Sequence, residues 1–118
     1  MSQPAIKPKT AKTLTRLVSL RRQQAEQAFA QARQEVAAAE AVLGQLEAAL
    51  RAAPSPSQDF AAFSLSEQNG NSKRLLARIA DQQRQIDALK QDMAEKRETL
   101  KRAFGSERRL GEITARPK

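Results

Sequence analysis

The chain has 118 residues, with 21 basic and 13 acidic side chains and a formal charge of +8. It holds no Cys, His, Trp or Tyr, which removes disulfides, thiolate and imidazole chemistry and most zinc or transition-metal sites. Aromatic residues are 3% of the total, too few to fill a globular core at native density, whereas richness in Ala, Glu, Gln, Arg, Lys and Leu suits long helices.

Residues 1–12 include Pro4 and Pro8 and carry Lys7, Lys9 and Lys12 without an acid. They read as a disordered basic tail. The stretch Met1 to Thr13 has no apolar segment behind it, so it is not read as a secretory signal. A helix is predicted over about 13–52, opening near Thr10 to Thr13 and stopped by Pro54 and Pro56. Its apolar ladder is Ala25, Phe29, Ala32, Val36, Ala39, Leu43, Leu46, Leu50, in alternating steps of four and three. Such a 3.5-residue repeat keeps a narrow seam facing one partner helix. Gly44 lies inside this helix and costs it about 1 kcal/mol, or else permits close helix approach.

Residues 53–71 are expected to form a tip, because Ser55, Pro56, Ser57, Asn69, Gly70 and Asn71 are turn formers. Phe60, Phe63 and Leu65 inside it are apolar; they either cap the seam or stand out as an anchor. A second helix is predicted over about 72–113, capped by Asn71 or Ser72, with fraying near Gly105 and Gly111 and a tail at 114–118. An earlier start near Ser64 or Ser66 is the alternative. The second ladder runs Leu75, Ile79, Gln82, Ile86, Leu89, Met93, Lys96, Leu100, Ala103, Glu107, Leu110. Its polar rungs, Gln82, Lys96 and Glu107, are read as register-setting. The two helices would be about 58 Å and 63 Å long at 1.5 Å per residue, a match that allows pairing along their whole length. The expected fold is therefore all-α, a two-helix antiparallel coiled-coil hairpin over 13–113. Leu14, Leu17, Leu110 and Ile113 are expected to hold its terminal end together.

The charge is uneven. Residues 1–22 hold six cations and no acid, residues 96–118 hold eight cations and three acids, and residues 23–95 hold seven cations and ten acids. A hairpin brings the two basic ends together, which suits an acidic partner or serves as solvated, solubilising tails. No enzyme is expected. Nothing builds a nucleophile–base pair, a glycine-rich phosphate loop, a metal set or a cofactor site, and Glu95 and Glu98 lie among cations as ion-pair partners. Nucleic acid is not the expected partner, because acids interleave with the cations of the second helix and no aromatic stacks among them. No apolar run is long enough to cross a membrane, and the absence of Cys fits a reducing compartment.

Three stretches carry a family resemblance: LTRLVSLRRQQAEQAFAQARQEVAAAEAVLGQLEAAL, then LLARIADQQRQIDAL, then MAEKRETLKRAFGSERRL. Over roughly residues 14–113 the layout resembles the FliJ family (YscO-like), the stalk proteins of bacterial flagellar and type III secretion export machinery. The chain departs from that pattern in lacking aromatics at the end of helix 1 and in being shorter than many members. The resemblance implies a coiled-coil stalk seated in the pore of a hexameric export ATPase and touching the cytoplasmic domain of the membrane export gate. It also implies contact with export chaperones in some members. The place implied is the cytoplasm, peripheral to the inner-membrane apparatus and held there through partners. On this basis the ATPase contacts would fall on Arg16, Arg21, Arg22, Lys101, Arg102, Arg108 and Arg109. The gate contacts would fall on Leu46, Phe60, Phe63, Leu76, Ile79 and Gln83. Two other classes remain: a holdase-type chaperone, disfavoured because 53–71 lacks alternating β-branched residues, and a generic coiled-coil scaffold or adaptor.

Overall fold

The computed structural model describes residues 7–52 and 62–115, with side chains described for 7–52 and 69–115. Among the described residues the fold is two helices: α1, Pro8–Arg51 (44 residues), and α2, Ala62–Ala115 (54 residues). They pack against each other antiparallel, as an all-α helical hairpin. The chain divides into two units. One joins the first part of α1 to the last part of α2 (Met1–Arg33 with Asp92–Lys118), and the other is Gln34–Gln91.

The ladders explain the packing. All eight rungs of the α1 ladder are buried or half-buried, and so are all eleven of α2, polar rungs included. In the Gln34–Gln91 unit the buried side chains are Val36, Ala39, Leu46 and Ile86, with Leu43, Leu50, Leu75, Ile79 and Leu89 half-buried around them. In the other unit Ala25 and Ala32 are buried, and Phe29, Met93, Leu100 and Leu110 are half-buried. Half of the buried rungs are alanine, so the few larger ones carry most of the apolar stabilisation, about 1.5–3 kcal/mol for each side chain fully removed from water.

Several boundaries differ from the sequence expectation. α1 begins at Pro8, so residues 8–12 are helical rather than tail. Proline suits the first helical position, where its fixed φ is already helical and its missing N–H has no partner to lose. The carbonyl of Lys7 accepts the first helical bond, from the Ala11 N–H at 2.9 Å. At the other end α2 already begins at Ala62, so residues 62–71 of the expected 53–71 tip are helix and the start at 72 does not hold; the alternative start near Ser64 or Ser66 comes closer, and residues 53–61 lie outside the described residues. Asn69, Gly70 and Asn71 lie within α2, and no described residue adopts positive φ. An Asn-Gly turn requires φ > 0; without it the pair is merely a weak stretch of helix. Phe60 lies outside the described residues. Phe63 and Leu65 lie on α2, with their side chains outside the described set. α2 also runs unbroken through Gly105 and Gly111 to Ala115.

The expected clamp at the terminal end is also corrected. Leu14, Leu17 and Ile113 are 37%, 49% and 51% exposed, and only Leu110 is covered. Stepping the α1 ladder backwards from Ala25 gives the reason: it lands on Arg22, Val18, Thr15 and Ala11, which turns Leu14 and Leu17 off the seam. Of those four, Arg22, Val18 and Ala11 are half-buried.

Gly44 does not serve close approach, because it is exposed and a Cβ placed there meets nothing within 4 Å. Gly44→Ala should therefore stabilise the protein by about 0.5–1 kcal/mol, through helix propensity and a less flexible unfolded chain. Chemical denaturation would check this; a destabilised variant would contradict an open helix surface at that position.

Candidate functional site: the basic unit and its groove

The unit built from Met1–Arg33 and Asp92–Lys118 carries fifteen cations and six acids, whereas Gln34–Gln91 carries six cations and seven acids. The first unit is thus +9 and the second −1, so the whole of the protein's net positive charge belongs to one unit.

Within that unit the acids are mostly consumed locally. Arg22 donates from Nε to Glu107 across the two helices at 2.7 Å and from Nη1 to Glu26 on its own helix at 2.9 Å. Its guanidinium lies 5.7 Å from the Phe104 ring centroid, within cation–π range. The bond with Glu107, then that with Glu26, raises the Arg22 pKa above its ordinary value. The sign is that of a cation held by partners: the stabilisation is complete below the ordinary arginine range and lost only as pH rises beyond it. Lys96 pairs with Asp92 at 3.7 Å, Lys101 with Glu98 at 3.4 Å and Arg108 with Glu112 at 3.5 Å. These three pairs are exposed or half-exposed and add little stability.

The seven expected ATPase-contact residues therefore fall into two sets. Arg22, Lys101 and Arg108 have carboxylate partners. Arg22 is also a seam rung, so its first role is structural. Arg16, Arg21, Arg102 and Arg109 are exposed and make no ion pair among the described residues. Arg102 and Arg109 instead reach hydroxyls on their own helix, Thr99 at 3.3 Å and Ser106 at 3.4 Å. An unpaired guanidinium keeps its donors for an incoming carboxylate or phosphate.

Arg21 and Arg102 also border a groove of about 490 Å³. Val18, Ala25 and Ala28 on α1 and Ala103 on α2 contribute its apolar lining, and Lys96 is its third cation. The small alanines leave it shallow. The sequence points to Arg22 as a contact residue but not to its place in the seam against Glu107 and Phe104, because a charged rung ends the apolar ladder at Ala25. Continuing the four-and-three steps through the charge would have found that place.

The expected gate residues do not form one exposed set. Leu46 is buried in the seam and unavailable to a partner, as its place in the ladder requires. Ile79 is half-buried, also as a rung, while Leu76 is 53% exposed and Gln83 is exposed. Leu76 and Gln83 are seven residues apart and share a helix row.

Two polar rungs bond across the helices. Besides Glu107, the Gln82 side chain donates to the Ala39 carbonyl at 2.9 Å, part-buried. Lys96 pairs only with its own helix. Gln82→Ala should cost about 1–2 kcal/mol, by losing this bond and the covering stem, as denaturant melts would record. A neutral result would remove Gln82 from the register-setting contacts.

Among the described residues there is no cluster of acids that would hold a metal ion, and no helix is long and apolar enough to cross a membrane. No family model, curated protein or solved structure matches this chain.

Proposed function

We propose that this protein is a non-enzymatic stalk component of a bacterial flagellar or type III protein export apparatus, linking a hexameric export ATPase to the membrane export gate. The observation that carries the reading is the concentration of charge, fifteen cations against six acids, on one two-helix unit whose acids are largely paired internally. A narrow helical pair with a strongly basic end suits insertion into a ring pore lined by acidic or polar groups. The resemblance over residues 14–113 supplies the identity of the ring.

On this reading Arg16, Arg21, Arg102 and Arg109 meet the ATPase, and Arg22 holds the two helices in register beneath them. Leu76 and Gln83 are the gate-facing positions that remain, with Phe60 and Phe63 as further candidates. Export chaperones are additional partners on this reading, and the site of action is the cytoplasmic face of the inner membrane. Co-purification of the chain with the hexameric ATPase, and stimulation of ATP hydrolysis by it, test the proposal. A scaffold or adaptor role is favoured by one observation, the exposed leucines of α1. It predicts self-association and indifference to the ATPase.

A further inference from the structure

The first turns of α1 carry a feature that ring docking does not use. Leu14, Leu17 and Leu20 are 37%, 49% and 49% exposed. They recur every three residues, so they climb across adjacent rows of the helix surface, away from the seam rungs Val18 and Arg22. Leu14 shares a row with Arg21 and Leu17 shares one with Gln24, both groove residues. Leu20 lies one row further out. Together they form a convex apolar ridge rather than a lined cleft.

By helical projection at 100° per residue Lys9 and Arg16 lie beside Leu20 along one edge of this ridge, and Arg21 lies between Leu17 and Leu14, where its long stem can cover apolar surface while its charge reaches outward. The first acid of the whole chain is Glu26. Three leucines on an acid-free, six-cation segment are the pattern of a helix that lies in an anionic bilayer interface. A second copy would bring the same excess of cations against itself, and like charges oppose that contact. An anionic bilayer offers both the opposite charge and an apolar interior for the leucines.

We infer that residues 8–24 of α1 are a peripheral membrane-binding surface, with Leu14, Leu17 and Leu20 inserted among the lipids of an anionic bilayer and Lys9, Arg16 and Arg21 on its headgroups. The inference rests on the three leucines, which the proposed ATPase and gate contacts do not use, and it shares Arg16 and Arg21 with the ATPase contacts.

The test uses the full chain and lipid vesicles with no ATPase present, so its failure leaves the stalk proposal standing. The chain has no Trp or Tyr, so Leu17→Trp reports its own surroundings without background. Its emission should shift to the blue with phosphatidylglycerol-containing vesicles and stay unshifted with pure phosphatidylcholine. Vesicle flotation should show binding that weakens with salt. The triple variant L14S/L17S/L20S should bind about tenfold or more weakly. It should keep its helical circular dichroism, because none of the three is a seam rung. Four results would overturn the inference: no emission shift, flotation unaffected by the serines, a blue shift already present without vesicles, or binding only to a Glu-flanked amphipathic peptide. The second marks simple charge adsorption, the third self-association and the fourth a protein partner.

Discussion

Ile86→Ala should destabilise the protein by about 2–4 kcal/mol and lower its melting temperature by about 10 °C or more. Ile86 is 5% exposed and is the only large α2 rung buried to that degree among the described residues. The α1 rungs buried in the same unit include an alanine, Ala39, so little apolar mass stands ready to fill the space. Removing three carbons there loses transfer energy and leaves a gap in a seam only two helices wide. Leu76→Ala is the comparison. Leu76 is of similar size on the same helix but 53% exposed, so its loss should cost no more than about 0.5 kcal/mol. Denaturant melts of both variants would measure the difference. Equal losses, or a larger loss at Leu76, would mean that α2 presents a different face to α1.

Reversing Arg16, Arg21, Arg102 and Arg109 to Glu should weaken binding to the export ATPase by about tenfold or more and suppress stimulation of ATP hydrolysis. The remaining interaction of partly reversed variants should fall away more steeply with salt. These four cations have no carboxylate partner among the described residues, so their reversal removes charge without breaking an internal pair. Reversing Arg22 confounds any binding measurement, because it also breaks the bridge to Glu107 and the contact with Phe104. Lys73→Glu with Arg78→Glu, both in Gln34–Gln91, serves as the control of equal charge change per site and should leave stimulation intact. Stimulation that survives all four reversals would remove electrostatics from the docking.

Both seams were legible in the sequence because hydrophobic periodicity is a direct record of burial. Every rung from Ala25 to Leu50 and from Leu75 to Leu110 is covered, including the three polar ones. What was not legible has definite physical causes. Asn69, Gly70 and Asn71 have strong turn preferences, yet they sit in helix, because local preferences of about 1 kcal/mol yield to a helix continuous on both sides. Leu14 and Leu17 look like core residues by type alone. Their phase relative to Ala25 puts them off the seam, and phase outweighs hydrophobicity in deciding what a helix buries. Leu46, a gate contact on the family resemblance, is held in the interior by its rung position. Of the candidate site, the concentration of charge was readable by counting. The division into paired and unpaired cations needed side-chain geometry.

The proposed stalk role depends on the basic two-helix unit engaging a hexameric export ATPase. The most direct measurement mixes the purified full chain with that ATPase at low salt, follows complex formation by light scattering and records the rate of ATP hydrolysis. A defined complex together with faster hydrolysis, both declining as salt rises, is the predicted result. No complex at low salt, or a self-associated chain that leaves hydrolysis unchanged, would contradict the claim.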